Sequence, residues 1–454
     1  MAGGNFTSQS KVLPGVYINV KSKESVSVNV GNRGTVAIPI ALNWGASGVQ
    51  TIMAGDDLTP YIGYDITSDN ALFLREMLKG SDTTSAPTKI LLYRLGTGGT
   101  KATATIGDLT VTALYAGTRG NDISVAISAD PDNVGTYDVT TIVDGAIVDK
   151  QTITALDKLV ANAWVTFSGT GSTITTSTGT ALATGANPTV ANSDYAAFLT
   201  AIEPYYFDIL IYDGTEATVA NAFAAFITRM NDAVGRKCQL VLSGDATTAN
   251  TKYVIVVNNG VKLNDGTLIP ATKAVYWTGG TEAGANYNQS LTYAQYPNAV
   301  EAYPKLSDAQ LQTAVENGLL VFSDDFGIVK ICTDINSKKT VTPTEGAEFK
   351  KNRVMRVLMQ FCNDTYEHFS KYFIGKVDNN DSGRSLLRQW IIGYLNEMQA
   401  NNGVQNFSAE DVTIAQGNAV DSVIVNVAVQ PTDAVERIYV SVTVTPNAIT
   451  VETV

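Results

Sequence analysis

One histidine, three cysteines and few charges: this 454-residue chain is marked first by what it is short of. The lone His368 stands in "TYEHF", inside a predicted helix. Neither a Ser-His-Asp triad nor an H-E-x-x-H site forms around it, so a packed or surface helix residue is the plainer reading. Cys238, Cys332 and Cys362 lie far apart without metal-ligand spacing, which reads as reduced thiols in a cytosolic protein rather than a disulfide frame. No apolar run approaches the roughly 18 residues of a membrane span, and no basic-then-apolar leader opens the chain. The expectation is a protein made in the cytoplasm, with no direct membrane insertion. Charged residues make up only 16% and the formal net charge is -12, which argues against direct nucleic-acid binding because phosphate contacts need a basic surface.

Motifs that carry chemistry are also missing. "LGTGGTKAT", residues 95–103, resembles a phosphate-binding loop, but Thr100 stands where a second glycine must precede Lys101. "YDGTEATV" follows a predicted strand without the G-x-G-x-x-G of a dinucleotide cradle. "DNNDSGRSLLRQ" places Asp378, Asn380, Ser382 and Gly383 at calcium-loop positions, yet Gln389 replaces the bidentate glutamate. No catalytic residue, metal site or cofactor is therefore expected, and the chain does not read as an enzyme.

What is present is secondary-structure pattern. "KILLYRL" reads as a buried strand after a short helix, "DNALFLREMLKG", closed at Gly80. From Lys101 to about Asn187 short Thr/Gly-rich strands follow one another, with a hairpin signal at Asp144-Gly145. Helices "SDYAAFLTAIEP" and "TVANAFAAFITRMNDAVG", the second with Val219, Phe223, Phe226, Ile227, Met230 and Val234 on one stripe, alternate with strands "YFDILIY" and "KCQLVLSG". This β-α-β order implies a partly parallel sheet. "LSDAQLQTAVENG" has a Ser307/Gln310 capping box; "LLVF" and "GIVKIC" read as two strands joined at "SDDFG". Two longer helices follow. The first buries Val354, Val357, Leu358, Phe361 and Phe369 with Lys351, Arg353 and Arg356 flanking; the second buries Leu387, Trp390, Ile391, Tyr394 and Met398. The fold class expected is α/β and α+β multidomain: a mixed-sheet core, an inserted small all-β domain, and extended N- and C-terminal β arms.

The arms alternate apolar with polar residues: Val16, Ile18 and Val20, then Val26, Val28 and Val30 at one end, Ile449 and Val451 at the other. "DSVIVNVAV" and "RIYVSVTV" alternate likewise, through Val423, Val425, Val427, Ile438, Val440 and Val442. Unpaired strands with one apolar face invite edge pairing, so a chain that keeps them either pairs them internally or lends them to a neighbour. Charge is also segregated. Residues 1–34 carry four basic groups against Glu24, and residues 350–390 carry eight against four acids, on an otherwise acidic body. Two basic segments on an acidic body suit a protein that binds copies of itself.

"LPGVYINV" resembles the opening of contractile-tail sheath proteins, nearest to the compact sheaths of Gram-positive phages, defective prophages and phage-tail-like bacteriocins. The resemblance runs in order through "YAGTRGNDISVAI", "AVYWTGGTEAGANYNQSLT", "TDINS", "KNRVMRVL", "YFIGKVDNNDSGRSLL", "VQNF" and "DSVIVNVAVQPTDAVERIYVSVTV". It implies a structural subunit that polymerises as a helical stack of hexameric rings around an inner tail tube and contracts to drive that tube through a target envelope. Baseplate and tail terminator proteins would meet the ends of the polymer. It would sit in the tail of a virion or tail-like particle assembled in the bacterial host cytoplasm. On this reading Val16, Ile18, Val20, Val26, Val28, Val30, Ile449 and Val451 are inter-subunit arm strands, and Val423, Val425, Val427, Ile438, Val440 and Val442 form the acceptor sheet. Lys350, Lys351, Arg353, Arg356, Arg384 and Arg388 face an acidic patch on the tube, or acidic surfaces of neighbouring sheath subunits. The domains expected are an arm at 1–34, a main domain at 35–100 and 188–342, an outward-facing and dispensable β-domain at 101–187, a C-terminal α+β domain at 343–445 and an arm at 446–454. A surface-array or adhesin-type structural protein is the alternative, disfavoured by the missing leader.

Overall fold

The computed structural model describes residues 3–4, 16–17, 30–31, 33–244 and 249–444. Two compact units emerge, a larger one built on Gly31–Glu367, to which the chain from Pro431 also belongs, and a smaller one built on His368–Gln430.

The larger unit is organised by a seven-stranded sheet in the order Leu319–Leu320, Val254–Val257, Gln239–Ser243, Ile209–Ile211, Thr35–Ala41, Lys89–Leu95, Val49–Met53. Every neighbouring pair is parallel except the last, which makes the sheet mixed. Its central strands are apolar on both faces because both faces are covered, the usual reason a parallel strand reads as a continuous hydrophobic run. In "KILLYRL", Ile90 and Leu92 enter one core while Leu91 and Leu95 enter the other. The helix Ala271–Gly284, with Trp277, lies in the first core; helices Asn192–Ile202 and Ala217–Arg229 supply Phe198, Phe223 and Ile227 to the second.

Two details depart from the sequence reading. After Arg229 the helix widens into a π-turn, Met230–Val234, closed by Gly235 at φ 86°. The extra residue per turn rotates Val234 off the stripe into solvent, while Met230 and Asn231 stay buried. "LLVF" is also two elements: Leu319–Leu320 pairs with Val254–Val257 in the main sheet, whereas Phe322–Asp325 folds back on Ile328–Ile331 as a hairpin.

Between Lys101 and Ala181 the chain forms two packed sheets. One holds Ala146–Ile153, Tyr137–Val143, Ile123–Ala129 and Ser177–Ala181; the other holds Val165–Ser168, Leu109–Ala116 and Lys101–Ile106. The Asp144-Gly145 turn is where expected, with both residues at positive φ. The sandwich core also receives Trp44 from the loop after Thr35–Ala41, its ring 5.2 Å from Tyr115 and 5.1 Å from Trp164. Arg94 clasps the same junction by donating to the carbonyls of Gly45 and Ala116, both at 2.6 Å.

In the smaller unit the helix Asp381–Ala400 buries Trp390, Ile391, Tyr394, Leu395 and Met398. Asn380 caps it by accepting from the Gly383 amide at 2.9 Å, so the calcium-like loop is a helix start. His368 stacks on Trp390 at 4.2 Å and 12°, and burial lowers its pKa; it is a packing residue. The strand Val423–Val427 pairs antiparallel with Val412–Gln416, an element the alternation of its neighbours had masked.

Candidate assembly surfaces

Strand-forming residues without a strand partner are the first candidate surface. Val423, Val425 and Val427 are half-buried on one face of their hairpin, with Ile424 exposed on the other. The hairpin pairs with nothing further among the described residues, which leaves edges open to another strand. "RIYVSVTV" forms no strand within this chain, contrary to its expected place beside Val423–Val427. Ile438, Val440 and Val442 are 78%, 77% and 81% exposed, and no regular element covers residues 432–444. At the N-terminus, Val16–Tyr17 runs parallel to Gly3–Gly4, and Val30 is half-buried. Ile18, Val20, Val26, Val28, Ile449 and Val451 lie outside the described residues.

Glu436 interrupts this exposed run. Its carboxylate pairs with Lys351 Nζ and accepts from Thr292 Oγ1 at 2.7 Å, and that hydroxyl accepts from the Asp334 amide at 2.9 Å. The extension is thus pinned at Glu436 and open to solvent from Arg437 to Val444.

The basic cluster is the second candidate, and the structure divides it. Arg356 is fully buried: Nη1 pairs with Glu282, Nη2 donates to Asp334 Oδ2 at 2.6 Å and to the Gln289 carbonyl at 2.7 Å. Asn352 Nδ2 donates to both carboxylates, at 3.1 and 2.9 Å. Two buried carboxylates around one guanidinium titrate apart. Burial and the neighbouring Asp334 push Glu282 up to about 8, while Arg356 and the Leu291 amide overcome desolvation and hold Asp334 below the usual range. Arg356 therefore anchors this chain's own core and is no surface contact, which corrects its expected role.

The others keep partly exposed side chains with local partners. Lys350 donates to the Glu316 carbonyl at 3.2 Å; Arg353 is half-buried, and burial lowers its pKa. Arg384 pairs with Asp381 and donates to Asn379 Oδ1, and Arg388 binds the Val412 carbonyl at 2.8 Å, tying the long helix of the smaller unit to its hairpin. Sequence reading missed Glu282, Asp334 and Glu436 as partners. A lone charge in the otherwise uncharged "AVYWTGGTEAGA" was the available signal for the first.

Four family models match successive parts of the chain: the Gp18 domain III N-terminal region of tail sheath protein at residues 33–95, the phage tail sheath protein beta-sandwich domain at 97–187, the central domain at 189–337 and the C-terminal domain at 344–445. The phage-like element PBSX protein XkdK of Bacillus subtilis is 34% identical over 98% of this chain and all of that protein. A crystal structure of the sheath tail protein from Desulfitobacterium hafniense is 39% identical, with a TM-score of 0.83 over 94% of this chain and 99% of that one. The helical sheath of the anti-feeding prophage in its contracted state shares the fold alone, at 12% identity and a TM-score of 0.57 over 95% of this chain and 99% of that one. Matched along nearly its whole length, the chain belongs to the phage tail sheath family, a structural component of contractile tails and tail-like particles.

Proposed function

We propose that this sheath subunit polymerises by strand exchange. Its extended ends add to the hairpin sheet of neighbouring copies, stacking hexameric rings around an inner tube, and the polymer contracts to drive the tube through a target envelope. The observation that carries this reading is the segment 437–444, where alternate Ile and Val side chains face water with no strand partner among the described residues. Each Val or Ile that a neighbour buries contributes about 1.5–3 kcal/mol gross, and the new ladder bonds add about 0.5–1.5 kcal/mol each. Ordering the arm offsets much of this, at about 1–2 kcal/mol per residue. A net gain repeated at every subunit holds a polymer together, and a covalent tether pinned at Glu436 lets rings rotate without separating. The polymer ends would abut baseplate and tail terminator proteins, in a tail assembled in the host cytoplasm.

Electron microscopy of the purified chain tests the reading directly. Hollow contracted tubes are expected, whereas a planar lattice would point to a surface array. Truncation after Glu436 should leave a folded protein by circular dichroism that sediments as small species. Tubes of normal length from the truncated chain would remove the arm from the mechanism.

A further inference from the structure

We propose that Phe326 is an assembly knob, through which the hairpin Phe322–Asp325/Ile328–Ile331 docks on a second copy of this chain. The inference rests on the sheath reading above and adds to it a contact separate from the terminal arms.

The hairpin closes on Phe326-Gly327, with φ of 52° and 79°. Positive φ at both turn residues is the type I′ geometry, which favours Asn, Asp or Gly at the first position because glycine lacks a Cβ and the short polar side chains of the other two tolerate the left-handed region. A phenylalanine there is strained. The chain holds its own control: the sandwich hairpin Tyr137–Val143/Ala146–Ile153 turns on Asp144-Gly145, with φ of 51° and 76°. One geometry takes aspartate in one place and phenylalanine in the other, so the turn does not call for the ring.

Nor does the core. Phe326 is 98% exposed, so it stabilises nothing in its own subunit. A single exposed apolar residue is ordinary; an exposed one held in a strained backbone has neither a local nor a packing reason. It also has company. Ile328 is exposed, and Lys330 lies 3.8 Å over the exposed ring of Tyr293. The charges at the rim are spent inside the chain, Asp325 on Lys330 at 3.2 Å and Asp324 on Lys305 at 2.8 Å. An apolar centre ringed by satisfied charges is the make-up of a protein interface.

The occupant is a second copy rather than the tube. A contact that must slide along a tube is served by screened charges, whereas a desolvated aromatic anchor suits a contact that is kept. The chain also presents an open recess lined by Phe369, Phe373, Ile374, Leu387 and Val423 that can receive such a knob. Knob and recess at different places on one chain make a heterologous contact, the kind that propagates into helical polymers.

Phe326→Asn and Phe326→Asp relieve the strain, so Tm should rise by roughly 1–3 °C. The critical concentration for tube formation should meanwhile rise at least about tenfold, which corresponds to about 1.4 kcal/mol. A role in folding would lower Tm instead. Benzoylphenylalanine at position 326, irradiated in sheaths co-assembled with tube protein, should crosslink to another sheath subunit. Asparagine-variant tubes at the wild-type concentration, or crosslinks to tube protein alone, overturn the inference. A wild-type chain that never forms hollow tubes overturns the sheath reading along with it.

Discussion

Glu282 shows how far one residue's environment departs from its sequence context. In the sequence it is an acid in "GGTEAG"; in the fold it is a fully buried carboxyl beside Asp334 and Arg356. Its pKa is raised, to about 8, so the folded chain holds a proton there that the unfolded chain releases near the ordinary glutamate value. That contribution to stability is complete in acid and is lost as pH rises through about 8. Across pH 5–8 the wild type should lose up to about 1.4 kcal/mol per pH unit from this group. Glu282→Gln should remove that slope, as read by urea titrations at several pH values. Equal slopes in the two proteins would mean that the carboxyl is ionised throughout.

At the scale of elements, the β-sandwich is less detachable than its composition suggests. Abrupt changes near residues 101 and 187 mark a separate unit, but the composition gives no hint that a tryptophan from outside completes its core. Trp44 is 1% exposed and sits between Tyr115 and Trp164, and Gly117 lies so near the Asn43 carbonyl that a Cβ would come within 1.9 Å of it. Trp44→Ala should therefore cost about 3–5 kcal/mol. It should also split one cooperative unfolding transition into two, with the sandwich melting first in calorimetry. A single transition, only shifted, would show that the other contacts suffice. Excising 101–187 for a linker should succeed only when Trp44 is replaced as well, since otherwise its ring is stranded in water.

For the whole molecule, what remains to be placed is the tube contact. With Arg356 buried and Lys351 engaged by Glu436, we propose that the partly exposed Lys350 and Arg353 supply it. Exposed pairs contribute only about 0–1 kcal/mol each and weaken with salt, which suits adhesion that must release during contraction. Lys350→Glu with Arg353→Glu should abolish co-sedimentation with tubes while contracted sheaths still form. Loss of both would move the cluster to the interface between sheath subunits. Lys351 is left out because a glutamate there would face Glu436.

The sequence by itself determined most of the strands and helices, that catalytic and metal motifs are missing from it, and which family the chain resembles. Those properties live in short-range pattern: period-2 alternation, the Ser307/Gln310 box, the Asp144-Gly145 turn. Only the tertiary structure decided where charges end up. Arg353 and Arg356 lie on the helix Asn352–Tyr372 and Lys351 just before it, and spacing alone put them on one surface. Their fates were set by Glu282, Asp334 and Glu436, which stand between 22 and 85 residues away in the chain. Strand partners were equally hidden. The alternation in "RIYVSVTV" states that one face can be buried, but whether its own subunit or a neighbour buries it depends on which sheet edges the folded chain leaves open.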